Sequence, residues 1–268
     1  MNLKFCSLAS GSSGNCHYVA TDETGLLVDA GLSGKYIKGA LENIDVDITT
    51  ITGLLVTHEH SDHIKGIGVL MRRYGIPLYI TEETWKAMSC KIGKIDEKKV
   101  IFISKNEEVE VGNIVVKSYE VSHDAVDPVG YTFRYGNSKI SIVTDLGHIT
   151  DEIMDEIKDS DLLLIESNHD EEMLKMGSYP YYLKRRILSE LGHLSNSAAG
   201  EIVVNAVKRG RVKNVLLGHL SKENNFPELA FETVKNIVEA SSIEVGVDIN
   251  IDMAYRDRVS RFYNIKQV

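Results

Sequence analysis

Residues 54–63 read Leu-Leu-Val-Thr-His-Glu-His-Ser-Asp-His. The apolar start predicts a buried strand that runs directly into three histidines and two carboxylates. Neutral imidazole is the commonest metal ligand in proteins, and carboxylates also bind divalent ions. His58 and His60 stand two residues apart in extended chain, so their side chains share a face, whereas Asp62 and His63 begin the next helix. The segment predicts a site for two metal ions; the alternative is a solvated turn that caps the helix.

Four side chains cannot fill the coordination shells of two ions, so further ligands must come from distant parts of the chain. The candidates are polar residues that stand at the ends of predicted apolar strands. Taken singly, each is also typical of a turn that ends a strand. Taken together, they supply one more histidine for each ion and a carboxylate to bridge the two. These residues are Asp29, His123, Asp145 and His219.

The composition is that of an ordinary globular protein and excludes several classes. Of the 268 residues, 43% are apolar and 26% charged, which argues against disorder, collagen-like repeats and coiled coils. The net charge of −9 weakens any idea of broad, charge-driven binding to nucleic acid. No apolar run reaches the roughly 18 residues of a membrane span.

The cysteines and the first residues predict a cytoplasmic protein. The chain has three cysteines, an odd number, and no Cys-x-x-Cys pair. A disulfide framework is therefore not expected, and a reducing cytoplasm is the natural setting. The first sixteen residues contain one lysine and no long apolar core, so we do not expect a secretory signal.

The alternation of apolar runs and turn signals predicts an α/β fold in a single domain, residues 1–268. Short β runs fill much of the first half, and Gly112-Asn113 and Gly136-Asn137 lie between neighbouring runs as hairpin signals. The second half alternates helix and strand. The predicted elements include continuous helices over 64–74 and 181–191 and a closing strand over 245–251. This pattern favours two mixed sheets that face each other with helices outside.

The order and spacing of these motifs resemble the metallo-β-lactamase fold hydrolases over nearly the whole chain. The resemblance rests on Asp29, the segment His58-x-His60-x-Asp62-His63, and then His123, Asp145 and His219. It implies a four-layer αβ/βα sandwich with two divalent ions. Zinc is the expected metal, and manganese or iron is also compatible with a His/Asp site.

The ligand roles follow from the same resemblance. It implies that His58, His60 and His123 bind one ion, and that Asp62, His63 and His219 bind the other. Asp145 would bridge the two ions, and Asp29 would orient the ligand loop through hydrogen bonds. A bridging carboxylate, rather than a cysteine, is similar to the phosphodiesterase, nuclease and glyoxalase branches of the family.

A glutamate and a histidine resemble the proton-transfer pair of the phosphodiesterase branch, which includes RNase Z. Glu166 ends a predicted strand, and His193 stands at the start of a predicted helix. A histidine at that position lies beside backbone N–H groups suited to phosphate. A carboxylate partner favours the imidazolium, which can protonate a leaving alkoxide. The alternative is that His193 merely begins the helix.

Four further residues carry weaker hypotheses of substrate binding. Ser12 and Asn15 lie in a loop rich in glycine and hydroxyls, which either forms a nest for an anion or, as we favour, a tight turn. His169 is either a turn residue or a residue on the substrate side. Ser195 is either a substrate contact or the cap of the following helix.

The strings SLASGSSGNC, HEHSDH, VSHDAVDPVGY, ESNHDEEML and GHLSNSAAGE are similar to the YycJ/VicX-like subgroup of the family. That resemblance implies a bacterial, DNA-processing, exonuclease-like enzyme with a possible link to a cell-wall two-component system. Basic clusters at 184–186 and 208–213 flank the helix that His193 begins, and they are equally typical of solvated helix faces.

We therefore predict a two-metal phosphodiester hydrolase, an exonuclease acting on DNA, with Asp62, Glu166 and His193 as its catalytic groups. One alternative is a phosphodiesterase of a small cyclic or nucleotide diester. A second is a lactone or thioester hydrolase. A third is a regulatory partner of the two-component system that keeps metal ions for structure.

Overall fold

The structure is a computed structural model that describes residues 2–266. Within these residues the chain forms fourteen strands and nine α-helices. The strands are β1 Leu3–Ala9, β2 Cys16–Ala20, β3 Gly25–Val28, β4 Ile51–Leu55, β5 Leu78–Ile80, β6 Val100–Phe102, β7 Glu108–Val111, β8 Ile114–Glu120, β9 Val129–Tyr135, β10 Ser138–Val143, β11 Leu162–Glu166, β12 Asn214–Gly218, β13 Asn250–Met253 and β14 Tyr263–Ile265. The helices are α1 Gly34–Glu42, α2 Ser61–Ile64, α3 Ile67–Tyr74, α4 Glu82–Met88, α5 Asp151–Ile157, α6 Glu171–Met176, α7 Tyr181–Ile187, α8 Asn196–Arg209 and α9 Pro227–Ala240.

The strands form two mixed sheets of seven strands each. The first has the order β14-β1-β2-β3-β4-β5-β6, and the second has the order β13-β12-β11-β10-β9-β8-β7. Each sheet combines an antiparallel part, made by β14 to β3 or by β7 to β9, with a parallel part. The predicted pair of mixed sheets is therefore present.

By its internal contacts the chain divides into two compact units. The first comprises residues up to Glu120, Ala125–Ser138 and the chain from Tyr255 onward. The second comprises Val121–Asp124 and Lys139–Ala254. The prediction of one domain over residues 1–268 stays a prediction.

In the first unit, the core lies between the parallel strands and their helices. Leu27 on β3 and Leu54 on β4 are completely buried, as are Ile67 and Leu70 on α3. Parallel strands covered by helices read as continuous apolar runs, and β4 ends in such a run before the histidine segment. The buried strand thus fixes where that segment begins.

In the second unit, β11 is buried along its whole length, and it pairs in parallel with β10 and β12. Helices α8 and α9 approach closely, since a Cβ built on Gly200 would lie 2.9 Å from the side chain of Ile237. Because carboxyl ends of neighbouring parallel strands meet at one edge, the residues that follow β10, β11 and β12 come together.

Three predicted elements need correction. The helix predicted over 64–74 is two helices, because the N–H of Gly66 turns to the carbonyl of Ala30, and a Cβ at Gly66 would lie 2.3 Å from the Leu32 carbonyl oxygen. The helix predicted over 181–191 ends at Ile187. The strand predicted over 245–251 is wrong in its first part, because residues 244–249 form a turn closed between Gly246 N–H and the Ile249 carbonyl.

Over the described part of the chain, no helix combines the length and the apolar character needed to cross a membrane.

Candidate metal centre

In the first unit, the carboxylate of Asp29 organises the histidine segment. One oxygen accepts the backbone N–H of Thr57 at 2.9 Å, and the other accepts the Thr57 hydroxyl at 2.9 Å and Nδ1 of His63 at 2.8 Å. Since a carboxylate only accepts, Nδ1 of His63 carries a proton and Nε2 is left as the donor atom for a ligand. This is the arrangement in which a carboxylate orients a metal-binding histidine.

The imidazoles of the segment crowd together. Nε2 of His58 lies 3.0 Å from Nδ1 of His60, and the rings of His58 and His63 have centroids 4.1 Å apart. Oδ2 of Asp62 lies 3.5 Å from Nε2 of His63. Neutral imidazole nitrogens with lone pairs repel one another at such distances unless a proton or a cation lies between them. The donor set therefore fits a divalent ion.

The loop between β1 and β2 contributes a neighbour to this group. Asn15 is buried and places Nδ2 3.1 Å from Nε2 of His63, and its Oδ1 accepts the N–H of Gly11. The loop is a tight turn closed from Gly14 N–H to the Gly11 carbonyl, and Ser12 is exposed at its tip. The turn that we favoured from the sequence is present.

Close backbone packing also holds the histidine segment, residues 58–63, in place. A Cβ built on Gly31 would lie 1.5 Å from the carbonyl oxygen of Asp62, so only glycine fits there. Ala30 N–H donates to the His63 carbonyl at 2.7 Å, and Asn15 N–H donates to the Asp62 carbonyl at 2.8 Å. The ligand segment is thus held by backbone contacts on both sides.

In the second unit, a carboxylate and two histidines face one another. Oδ1 of Asp145 lies 3.4 Å from Nε2 of His219 and 3.9 Å from Nε2 of His123. The other nitrogen of each ring is a donor, because Nδ1 of His123 bonds to the Gly192 carbonyl at 3.2 Å and Nδ1 of His219 bonds to Glu166 at 2.8 Å. Both rings therefore present a ligand nitrogen to one side of the same carboxylate, which suits a metal site.

Glu166 is completely buried and satisfies four donors. Its Oε1 accepts Nδ1 of His193 at 2.7 Å and Nδ1 of His219 at 2.8 Å. Its Oε2 accepts the backbone N–H groups of Leu146 and Leu194 at 3.1 and 3.3 Å. Burial alone would raise the pKa of Glu166, but the charge of His193 and these hydrogen bonds lower it overall. The group is a permanent carboxylate.

His193 pairs with that carboxylate at the entrance to α8. Burial would lower the pKa of His193, but the charge of Glu166 and its hydrogen bond raise it above the ordinary value. The side chain is 21% exposed whereas Glu166 is fully enclosed, so the proton on the far side of the ring can reach a substrate. Asp145, Glu166, His193 and His219 offer ligand atoms within 4.8 Å of one another.

Three of the predicted site residues follow strands in an unusual backbone conformation. Asp29, Asp145 and His219 have φ values of 60°, 58° and 54°, in the left-handed region that non-glycine residues seldom adopt. Each stands directly after a strand, or one residue further on. Such strain concentrates at functional sites, because the surrounding structure must fix the residue in place.

The two weaker candidates of the second unit lie next to each other. Residues His169 and Ser195 form an isolated β-bridge, and Ser195 caps α8 through a bond from Ala198 N–H and contacts Glu171. His169 is 1% exposed, and neither ring nitrogen has a hydrogen-bond partner among the described residues. Burial lowers the pKa of His169 to about 4, so the ring is neutral.

A buried asparagine cluster is the feature that the sequence analysis missed. Nδ2 of Asn225 lies within 3.0 Å of the Ser167 and Asn168 carbonyls and of Oδ1 of Asn196, which also accepts the Ser167 hydroxyl. Asn168 in turn donates to the carbonyl of His219 at 2.9 Å. The cluster joins the end of β11, which carries Glu166, to the segments that carry His193 and His219. The only signal in the sequence is the pair Asn224-Asn225, five and six residues after the candidate ligand His219.

The chain belongs to the metallo-β-lactamase superfamily, whose family model matches residues 9–186. The mixed sheets and the His/Asp clusters described above are those of this class of metal-binding αβ/βα proteins, and the predicted fold class is confirmed.

Named relatives cover nearly the whole chain. It is 45% identical to the exodeoxyribonuclease YycJ of Bacillus anthracis over 246 residues, which is 92% of this chain and 93% of that protein. It is 44% identical to the exodeoxyribonuclease WalJ of Streptococcus pneumoniae over 94% of each chain. Among solved structures, the metallo-β-lactamase fold protein YhfI of Bacillus subtilis matches with a TM-score of 0.74 at 16% identity, over 98% of this chain and all of that one. The predicted subgroup is thereby confirmed.

Proposed function

We propose that this protein is a metal-dependent exodeoxyribonuclease that uses two divalent ions. The observation that carries the proposal is the Glu166–His193 pair, a buried carboxylate bonded at 2.7 Å to a part-exposed imidazole beside the His/Asp cluster. The near full-length similarity to two proteins named exodeoxyribonucleases supports DNA as the substrate.

The proposed ligands are those that the resemblance implied. One ion would be held by His58, His60 and His123. The other would be held by Asp62, His63 and His219. Asp145 would bind both ions. Bound ions in such a site lower the pKa of water, orient the phosphodiester and offset the charge of the transition state. Zinc is the metal we expect first, because imidazole and carboxylate donors suit it, and manganese and iron are the alternatives.

The chain's own groups would do the following work. Asp62, which is part-exposed, accepts a hydrogen bond from the attacking water and points it at phosphorus. His193, protonated because Glu166 raises its pKa, donates its outward proton to the leaving oxygen. Glu166 stays ionised and holds the ring by Nδ1, so that the proton lies on the side that faces the substrate. Asp29 keeps the His63 ring in its ligand orientation.

The first experiment measures metal content and three activities. Hydrolysis of bis-p-nitrophenyl phosphate, end-labelled linear DNA and closed circular DNA is compared for the wild type, Asp62→Ala and His193→Ala. We expect bound transition metal in the wild type, digestion of linear but not circular DNA, loss of hydrolysis in Asp62→Ala and a fall of about 10²-fold or more in His193→Ala. The exposed Asp155→Ala on α5 is the control that should keep full activity.

Each contrary result removes a definite part of the proposal. Full activity of His193→Ala would end its role in proton transfer. Cleavage of the small diester without any cleavage of DNA would replace the nuclease by a phosphodiesterase of small diesters. The cytoplasmic location and the link to a cell-wall two-component system stay predictions.

A further inference from the structure

Helix α7 exposes two aromatic rings to solvent. Tyr181 and Tyr182 are 76% and 74% exposed, far above Phe102, Phe226 and Phe262, the other exposed aromatic residues of the described chain. A tyrosine ring is large and amphipathic, and it gains most when its face is covered. Two adjacent rings left open on one short helix indicate a surface that another molecule covers.

The cations of the same helix differ in what they do. Nζ of Lys184 donates to the carbonyls of Lys175 and Gly177 at 2.7 Å each, and Arg186 forms an ion pair with Asp124. Both therefore hold the fold together. Arg185 is exposed, and its guanidinium lies 6.0 Å from the centre of the Tyr181 ring. We call Tyr181, Tyr182 and Arg185 the α7 platform.

Of the acidic side chains near α7 in sequence, Glu190 is exposed three residues after the helix, whereas two on α6 share a lysine partner. Lys175 contacts the carboxylates of Glu171 at 3.6 Å and Glu172 at 2.9 Å. Among the three platform residues the charge is the guanidinium of Arg185, set beside two open rings.

The C-terminal end of α7, the helix that carries the platform, contacts the segment of the proposed proton donor. The carbonyl of Ile187, the last residue of α7, accepts the backbone N–H of His193 at 3.0 Å. A Cβ built on Gly192 would lie 2.1 Å from that same carbonyl oxygen, so the two segments are in close backbone contact. Gly192 also accepts the bond from Nδ1 of His123. A strand lying along α7 toward Ile187 would therefore run toward the residues that would act on its phosphate.

We infer that the α7 platform binds an unpaired DNA strand, with bases stacked on Tyr181 and Tyr182 and a phosphate paired with Arg185. The inference rests on the proposed function. Unpaired bases offer their faces to aromatic side chains, and losing one such stack weakens binding by about 5- to 150-fold. In a duplex the same faces are covered by neighbouring bases. The protein's net negative charge also favours stacking over broad phosphate contact as the source of affinity.

The binding test uses the metal-loaded protein and a fluorescent single-stranded oligonucleotide with phosphorothioate linkages that resist cleavage, with anisotropy as the readout. We expect Tyr181→Ala and Tyr182→Ala each to weaken binding by about 10-fold, whereas the phenylalanine variants stay close to the wild type. An oligonucleotide with abasic positions should bind the wild type weakly and should no longer distinguish the alanine variants. Phe102→Ala, which removes an exposed ring from β6, is the matched control.

The role of Arg185 has its own readout. Binding to a single strand loses about 0.7 in the slope of log affinity against log salt for each phosphate contact removed. We expect Arg185→Ala to lower the slope by that amount. An unchanged slope would remove the phosphate contact from the inference.

The closing experiment separates this inference from the proposed function. The rate on single-stranded DNA is divided by the rate on bis-p-nitrophenyl phosphate for each variant. The platform is supported if this ratio falls 10-fold or more in the double variant Tyr181→Ala/Tyr182→Ala. In Phe102→Ala the ratio should stay within twofold of the wild type. If the wild type degrades DNA and the ratio is unchanged in the double variant, the platform is overturned and the proposed nuclease stands. Wild type that hydrolyses the diester but neither binds nor degrades DNA overturns the proposed nuclease.

Two further outcomes also count against the platform. Equal losses on both substrates would mean that the tyrosines support the fold rather than the strand. A wild type that dimerises, with monomeric tyrosine variants that bind DNA normally, would assign the surface to contact between copies of the chain. Analytical ultracentrifugation of the same samples measures this.

Discussion

Nδ1 of His193 lies 2.7 Å from Oε1 of Glu166, whose side chain is completely buried. The same oxygen accepts Nδ1 of His219 at 2.8 Å, so one carboxylate sets the tautomer of both rings. It directs the second nitrogen of His193 outward and the second nitrogen of His219 toward Asp145. A single atom therefore couples the proposed proton donor to a proposed metal ligand.

Glu166→Gln should reduce both functions of this carboxylate. The amide keeps the size of the side chain but removes the charge that favours the His193 imidazolium, and it cannot accept four hydrogen bonds through two oxygens. We expect the rate on DNA to fall about 10²-fold and the bound metal to decrease. Steady-state rates and elemental analysis check this, with the exposed Glu172→Gln on α6 as control. A variant with full activity and full metal content would contradict it.

The pH profile tests the same pair. Burial would lower the pKa of His193, but Glu166 raises it, so the imidazolium persists above its ordinary range. A general acid is active below its pKa, so the wild-type rate should fall only at alkaline pH. In Glu166→Gln this alkaline limb should move to lower pH. If the alkaline fall in rate occurs at the same pH in Glu166→Gln as in the wild type, a group other than His193 is responsible for it.

Glycine at position 31 should be irreplaceable in a way that a nearby glycine is not. An alanine Cβ there would collide with the carbonyl of Asp62, at 1.5 Å, and force the ligand segment to shift. We expect Gly31→Ala to lower the free energy of unfolding by about 2 kcal/mol or more and to reduce metal content. Gly39→Ala in α1, where nothing lies within 4 Å of the added carbon, should stabilise the protein by about 0.5–1 kcal/mol. Urea denaturation of both variants measures the contrast.

The asparagine cluster should matter for stability and activity together. Asn225→Ala removes several buried hydrogen bonds and leaves the Ser167 carbonyl without its side-chain donor, whereas the Asn168 carbonyl keeps the N–H of Ser221. We expect a loss of about 3 kcal/mol in the free energy of unfolding, together with a lower rate on DNA. Asn205→Ala is the control, because Asn205 is exposed on α8 and bonds only to the Glu201 carbonyl there. Equal stability of the two variants would show that the cluster adds nothing.

His169 should make the folded state sensitive to acid. Burial depresses its pKa to about 4, below the unfolded value near 6.5, so the folded state resists protonation. The contribution of the neutral ring is complete above pH 6.5 and is lost as the pH falls toward 4, by about 3 kcal/mol. The difference in free energy of unfolding between wild type and His169→Gln should therefore shrink over that interval. A difference that is constant with pH would contradict the prediction.

The fold was largely predictable because its signals are local. A few consecutive residues are enough to predict the buried strands β4 and β11 and the hairpin turns at Gly112 and Gly136. The break between α2 and α3 was not predictable, because it depends on the carbonyl of Ala30, more than thirty residues away. Residues 245–249, just before β13, were misassigned because they form a turn rather than a continuation of the strand.

The candidate site also has a part that the sequence predicts and a part that it does not. The candidate donors could be singled out together, because several histidines and aspartates stand after predicted strands in one order, and their role as ligands stays a prediction. The second bond of Glu166, to His219, could not be recognised, since it joins residues 53 positions apart. The role of Asn225 was equally hidden, because an asparagine in a loop is ordinary in composition and only its burial reveals the bonds it makes.

The left-handed backbone at Asp29, Asp145 and His219 has an evolutionary consequence. Glycine adopts that conformation without steric cost, so a library selected only for thermal endurance should accumulate glycine at the Asp145 codon, whereas the buried hydrogen bonds of Asp29 and His219 oppose the same change there. A parallel library selected for digestion of DNA should retain the original residues. Codon frequencies would then be compared between the two selections. Positions where glycine is enriched for stability but depleted for DNA digestion would be the positions at which activity, rather than folding, requires the original residue.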